Sequence, residues 1–413
     1  MSRVRIIGGG LSGILAAFEA HRLGARDIEL HERFSQLGGS ALPTERHGVE
    51  LRERHIAFGA KDHPVRRRLE ANGIEFAEYD NACGSVSPAE AGPPVYASGF
   101  AGPALPCADL ALGPTPGPRL SDRIAAYPAD VRAPLERWLR WRLGPAATEA
   151  HAGAAGALGL SQVLPLGADA AALAAARRAD SRIDGYFAIP WAGAEPAVAS
   201  TPAGGFAAFY RRCHRALRQI GVRIHENSYL APRQILAEHR PGDLLVWTAG
   251  PAALFKLVDA PAPRLLETSH AAYVFAGRWT GPRPFRIENF TAEGVCIRVH
   301  AYESGERTLI AAECVAEAGA TDLRYEVHRL FHGFEGDLAL GELLSASVKP
   351  RWTHQTVAAI GALKDLRAHL AQRFGPSLVT NGWEHTDAAG RHAHLSGALA
   401  GLLAPGARRS AAA

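Results

Sequence analysis

The sequence predicts an α/β protein: a dinucleotide-binding Rossmann unit assembled from separated parts of the chain, an antiparallel-sheet domain interleaved with it, and a helical insertion. Three observations predict it. The chain opens "RVRIIGGGLSGILAAFEAHRLGARDIELHERF", an apolar strand, a glycine-rich turn, a helix and a second strand. Residues 268–318 hold short, partly alternating segments joined by tight loops such as "ESGERT". Between them, residues 121–182 turn rich in alanine, leucine and arginine.

Each element follows from its residues. In the first helix, from about Gly13 to Leu23, Ile14, Leu15, Phe18 and Leu23 are available to pack, and "DIEL" is the next strand. From Pro43 to about Arg119, short helices alternate with loops rich in proline and glycine. "DVRAPLERWLRWRLG" puts Val131, Leu135, Trp138, Leu139 and Trp141 near one side of a helix, and "DAAALAAARRADSRI" reads as another. In "GGFAAFYRRCHRALRQIGVRIHEN", Phe206, Phe209, Cys213, Leu217 and Ile220 form a helical stripe that ends at Gly221, with a strand behind it. "GDLLVWTAG" has the continuous apolar run of a buried parallel strand. A helix over "THQTVAAIGALKDLRAHLAQRFG", a strand in "SLVTNGW" and a last helix in "RHAHLSGALAGLLA" complete the order.

The division this implies is 1–80 and 201–265 as two parts of the nucleotide domain, 81–200 as a loop-rich and helical cap, 266–350 as the antiparallel sheet, 351–404 as the nucleotide domain's C-terminal part and 405–413 as a disordered tail. The chain of 413 residues is long enough for such a pair of cores. Hydrophobic residues make up 47% of it, charged residues 21%, and the formal charge is +4, which argues against a nucleic-acid role. Cys83, Cys107, Cys213, Cys296 and Cys314 lie far apart and read as buried or incidental thiols in a reducing compartment. With no signal-like leader before Val4 and no long apolar run, the expectation is a cytoplasmic protein without a transmembrane segment; nothing indicates an oligomer.

Gly8, Gly10 and Gly13 satisfy G-x-G-x-x-G between strand and helix. The first glycine permits the turn, the second lets a pyrophosphate approach backbone N–H groups, and the third lets helix pack on strand. Leu11 and Ser12, between the second and third glycines, belong to the same candidate cofactor-binding set, and the helix N-terminus faces the phosphates. Glu32, at the end of the second strand, is placed to accept ribose hydroxyls, with Arg33 beside it. These residues alone leave a diffusing nicotinamide and a resident flavin both open. Behind Glu32, "ERFSQLGG" adds Gly38 and Gly39, then Ser40, a second place where backbone could approach the diphosphate or ribityl region.

The opening stretch closely resembles the FAD fingerprint of the glutathione-reductase-like flavoproteins, in particular the branch of amine oxidases, protoporphyrinogen oxidases, carotenoid desaturases and UDP-galactopyranose mutases. Three further segments carry the likeness: "GGFAAFYRRCHRALRQIGVRIHEN", "GDLLVWTAGPAALF" and "AAGRHAHLSGALAG". The resemblance implies non-covalent FAD held by the residues already named, together with Thr248, Ala249 and Gly250 after the apolar strand and Gly382, Ala393, His394 and Leu395 at the C-terminal helix. It implies hydride transfer from a small or medium organic substrate to flavin N5, hence an oxidase or dehydrogenase.

Candidate catalytic residues are His55, His385 and Arg298. His55, in "ERHIAF", weakly resembles a mutase histidine beside the flavin; the alternative is a surface or core histidine. His385, Asp387, His392 and His394 crowd the C-terminal segment, with Trp383 as a wall and Thr386 or Asp387 as an alternative helix cap. His392 and His394 are two apart on a helix and point in different directions, so no metal site is expected. Arg298 alternates with apolar neighbours and faces either a cavity or solvent; with Arg278, Arg286, Lys349 and Arg351 it could recognise an anionic substrate. Tyr273 and Tyr302 are aromatic-wall or packing residues. The mutases' glycine-arginine pair and closely spaced tyrosines are missing, since Trp383 follows Gly382. A redox-neutral mutase acting on a sugar nucleotide is therefore the runner-up, ahead of a non-catalytic flavin-binding protein.

Overall fold

The computed structural model describes residues 3–39, 42–46, 48–52, 57–89, 92–98, 117–125, 129–155, 158, 198–317, 319–385 and 388–403. A five-stranded, all-parallel sheet forms the first layer system, in the order Leu378–Thr380, Leu244–Trp247, Val4–Ile7, Ile28–His31, Arg223–His225. Both faces are covered, which is why Leu244–Trp247 is buried at every position. On one face Val4, Ile6, Ile28 and Leu30 pack with Ile14, Ala17 and Phe18 of helix Leu11–Arg22, with Phe206, Phe209, Cys213 and Leu217 of helix Gly205–Gln219, and with Leu395 and Leu399 of helix Ala388–Leu403. On the other, Ile7, Leu245 and Trp247 meet helices Pro232–Ala237, Ala252–Leu257 and Val357–Phe374.

The second system is a seven-stranded sheet ordered Leu338–His354, Leu266–Trp279, Arg307–Cys314, Cys296–Ser304, Phe285–Asn289, Ala82–Ser87, Val95–Ser98. All neighbours are antiparallel except Phe285–Asn289 with Ala82–Ser87. Strand alternation gives it two unlike faces. One carries Phe275, Phe285, Ile287, Val299, Ala301 and Ile310 against helix Ala320–Phe331. The other carries Arg286, Glu288, Arg298, His300, Tyr302 and Glu313, all buried. Part of that polar face is covered by the short strand Val49–Leu51, where Val49 and Leu51 pack on Val274, Tyr302 and Leu309. Further along, helix Ala129–Leu143 docks on the loop after Phe285–Asn289: Trp138 Nε1 donates to Asn289 O at 2.9 Å and Trp141 Nε1 to Gly294 O at 3.0 Å.

Several expectations are revised here. The loop-rich reading of residues 43–119 misses strands Phe76–Asp80, Ala82–Ser87 and Val95–Ser98, of which the last two belong to the large sheet. Their partners lie far along the chain, Val198–Pro202 for the first and Phe285–Asn289 for the second, so local patterning carries little of the signal. Cys296 and Cys314, apart in sequence, sit opposite each other on paired strands with their sulfurs 3.6 Å apart, both as free thiols. The helix expected in "DAAALAAARRADSRI" and the tail after residue 404 lie outside the described residues. Among the described residues, no helix is long and apolar enough to cross a membrane.

Candidate dinucleotide site

The two glycine-bearing turns of the first βαβ unit build one end of a cleft of about 680 Å³. Gly8 has φ +108°, and a Cβ there would lie 2.8 Å from Ala249 N. At Gly13 a Cβ would lie 1.9 Å from Gly8 O, so the helix packs on the strand closer than any side chain allows. Gly10 differs: a Cβ would meet no atom within 4 Å, because that direction opens into the cleft. Two glycines are thus required by the protein's own contacts and one by free space beside a helix N-terminus, the place an anionic diphosphate would occupy.

Glu32 is 4% exposed and is fixed by two backbone donors, Gly9 N to Oε2 at 2.7 Å and Phe34 N to Oε1 at 3.0 Å. It still lines the cleft, so its remaining lone pairs are available to ribose hydroxyls. Gly38 N donates to Gly9 O at 2.9 Å, which lays the second glycine pair directly on the first turn. Gly38 and Gly39 both hold positive φ, +136° and +60°. From the neighbouring strand, the Thr248 hydroxyl reaches Ile7 O and Gly8 O, each at 2.9 Å, and places Ala249 and Gly250 on the rim.

Sequence reasoning misses several lining residues. His31 lines the cleft, stacks on His225 with centroids 4.5 Å apart and meets Ser228 Oγ at 3.0 Å. Burial first, and then the neighbouring His225, push its pKa down to about 4, so it is neutral near neutrality. Ser228, Tyr229 and Leu230 follow the strand expected to approach the adenine end and form that wall. At the opposite end Asn381 and Arg391, which the sequence did not single out, enter the same cleft together with His392 and Leu395, which it did. Asn381 is 8% exposed, and among the described residues its buried Oδ1 has no hydrogen-bond partner.

Of the expected site residues, Gly8, Gly10, Leu11, Ser12, Gly13, Glu32, Arg33, Gly38, Gly39, Thr248, Ala249, Gly250 and Leu395 all line the cleft. Gly382, Ala393 and His394 do not. Gly382, at φ +62°, is where a Cβ would lie 2.8 Å from the His394 ring and 3.0 Å from that of His385, so it serves side-chain packing. Because helix residues three or four apart share a face, Leu395 brings Arg391 and His392 with it and turns Ala393 and His394 elsewhere. His55 and Ser40 lie outside the described residues.

Two catalytic candidates are placed away from the cleft's lining. Arg298 is 7% exposed on the polar face of the large sheet, where its Nε is 2.5 Å from Glu288 Oε1 and its Nη1 3.6 Å from Glu313 Oε1. His385 lies with Glu384 and His394 in a group whose ligand-type atoms fall within 4.8 Å of one another. That juxtaposition was not visible in the His392 and His394 spacing. Glu384 is also ion-paired with Arg367.

A family profile described as an NAD(P)-binding Rossmann-like domain matches residues 6–69. No curated protein matches the chain. Among solved structures, a reduced UDP-galactopyranose mutase aligns at 10% identity over 99% of this chain and 98% of that one, with a TM-score of 0.66. The fold is shared across this group. A redesigned putrescine oxidase aligns at 15% identity over 97% and 99%, TM-score 0.57. A candidate protoporphyrinogen oxidase from Exiguobacterium sp. 255-15 aligns at 14% identity over 97% and 98%, TM-score 0.56. The likeness in fold to these proteins extends along nearly the whole chain.

Proposed function

We propose that the protein is an FAD-dependent oxidoreductase that oxidises or desaturates a small or medium organic molecule. The observation that carries this reading is the reach of one cleft, from Glu32 and Ser228 at one end to Asn381, Arg391 and His392 at the other. A nicotinamide dinucleotide bound as in a simple Rossmann domain requires the glycine turn and the acid; it does not require a C-terminal helix some 360 residues later in the chain. The residues fit FAD: Gly10 leaves room for the diphosphate, Glu32 offers acceptors for the adenosine ribose, and Asn381 Oδ1 offers one at the far end.

FAD held by these residues would supply two-electron chemistry, the capacity to take hydride from an organic substrate. The chain's own contribution is placement. The N-terminus of helix Leu11–Arg22 favours the diphosphate's negative charge, and Glu32 disfavours a 2′-phosphate on the ribose. Arg391 and His392 add polar groups at the flavin end, where Arg391 also donates from Nη1 to His385 O at 2.9 Å.

The test is the absorbance spectrum of the purified protein, followed by release and mass identification of its cofactor. FAD is the expected result; a colourless protein that fails to take up FAD on reconstitution removes the reading. Anaerobic bleaching with substrate then supports oxidation, whereas turnover that needs prior reduction and gives no net redox change supports a mutase.

A further inference from the structure

The outer face of helix Gly205–Gln219 borders a second cavity, of about 770 Å³, which shares no lining residue with the dinucleotide cleft. The helix has two unlike sides. Phe206, Phe209, Cys213 and Leu217 turn into the core, whereas Arg211, His214, Arg215 and Arg218, spaced i, i+3, i+4 and i+7, share the face that lines the cavity. Leu37, Leu42 and Pro43 give the same cavity an apolar wall. That wall is seated on the second glycine turn: a Cβ at Gly38 would overlap Leu42 and lie 3.1 Å from the Tyr210 ring.

The charges of the lining do not cancel. Its carboxylates are Glu45, 4.0 Å from Arg211 Nη1, and Glu226, 3.9 Å from His214 Nε2. Among the described residues, no carboxylate lies within ion-pair distance of Arg215 or Arg218, which stand one helical turn apart. On an open surface two such guanidiniums would simply be hydrated. Here they border a concave space of ligand size with an apolar wall, the combination of a few convergent polar groups and hydrophobic lining that small-molecule sites share.

We propose that this cavity binds an organic phosphomonoester, its phosphate held by Arg215 and Arg218 and its apolar body against Leu37, Leu42 and Pro43. Two neighbouring guanidiniums without carboxylate partners match a group that carries close to two negative charges near neutral pH, and their planar N–H forks suit phosphate oxygens. A monocarboxylate would leave one of the two charges unmatched. Free phosphate would leave the apolar wall wet. Glu45 and Glu226 repel an anion, but each sits beside a basic partner of its own, so Arg215 and Arg218 are left to receive it. The site is separate from the dinucleotide cleft and does not rest on the flavin reading.

The experiment is calorimetric titration of the purified full-length protein with phenyl phosphate, with FAD in excess throughout so that the dinucleotide cleft is not what the probe fills. Inorganic phosphate, benzoate and benzyl alcohol are the comparison probes. Phenyl phosphate binds about tenfold or more tighter than each of them. The double variant Arg215→Gln, Arg218→Gln weakens that binding by about thirtyfold and each single variant by less, while Arg307→Gln, an exposed arginine outside both cavities, leaves it unchanged. Both cavity arginines are exposed, so the variants should melt as the parent does, and should the double variant not fold, the single ones decide. The proposal is overturned if phenyl phosphate does not bind at millimolar concentration, if any comparison probe binds as tightly, if the folded arginine variants bind as the parent does, or if Arg307→Gln weakens binding equally. A protein that takes up no FAD yet binds phenyl phosphate through Arg215 and Arg218 removes only the flavin reading; a yellow protein blind to the probe removes this inference alone.

Discussion

At the scale of single residues, the three motif glycines play separable parts, and substitution should separate them. Gly10→Val places its branches in open cleft. We expect a protein that melts as the parent does but loses most of its bound dinucleotide, checked by thermal unfolding and cofactor content. Gly13→Ala instead drives a Cβ into Gly8 O, backbone that cannot yield, and should cost about 3 kcal/mol of stability or prevent folding. A second residue effect concerns pH. His300 is fully enclosed and takes up a proton only near pH 3 when folded, whereas the unfolded chain takes it near 6.5. Native stability is therefore complete above about pH 6.5 and declines as pH falls toward 3, by up to about 2 kcal/mol between pH 6.5 and 5. Urea melts over that range should show a shallower pH slope in His300→Gln. The glycines and Glu32 were legible because their requirement is local. Arg298 was legible only as a choice between cavity and solvent, because its partners Glu288 and Glu313 come from neighbouring strands whose register is set by the fold.

Among the elements, helices with strong stripes were read correctly: Phe206, Phe209, Cys213 and Leu217 are buried as their spacing predicts. What a contiguous reading lost was phase. The C-terminal helix was expected to offer Ala393, His394 and Leu395 to the cofactor, yet three consecutive helical residues cannot share a face, and Arg391, His392 and Leu395 are the set that meets the cleft. Helix Val357–Phe374, which backs the parallel sheet, starts with Thr356 accepting from Ala359 N at 3.0 Å through its side-chain hydroxyl. Thr356→Ala should lower stability by about 1 kcal/mol in denaturant titration and leave cofactor content unchanged, because the cap touches no part of the cleft. The strands between residues 76 and 98 were missed for the opposite reason to the helices: proline and glycine around them read as loop, and the pairing that makes them strands lies in another part of the chain.

For the whole molecule, the cleft is a junction of four separated stretches, residues 7–15, 31–39, 228–253 and 381–395. A ligand lying along it ties them together, so removing the dinucleotide should lower the melting temperature. At a ligand concentration about a hundred times Kd, the stabilisation is about 2.7 kcal/mol. Differential scanning fluorimetry of holo and stripped protein checks this. The same interleaving has a consequence for biosynthesis. Val4–Ile7 is a central strand flanked by Ile28–His31 on one side and Leu244–Trp247 on the other. While the chain grows on a ribosome, the first of those neighbours is made at once and the second only after more than half of the protein has been translated. Throughout that interval an apolar strand keeps one hydrogen-bonding edge bare, a period in which a chaperone, or a wrong partner, has first access to it.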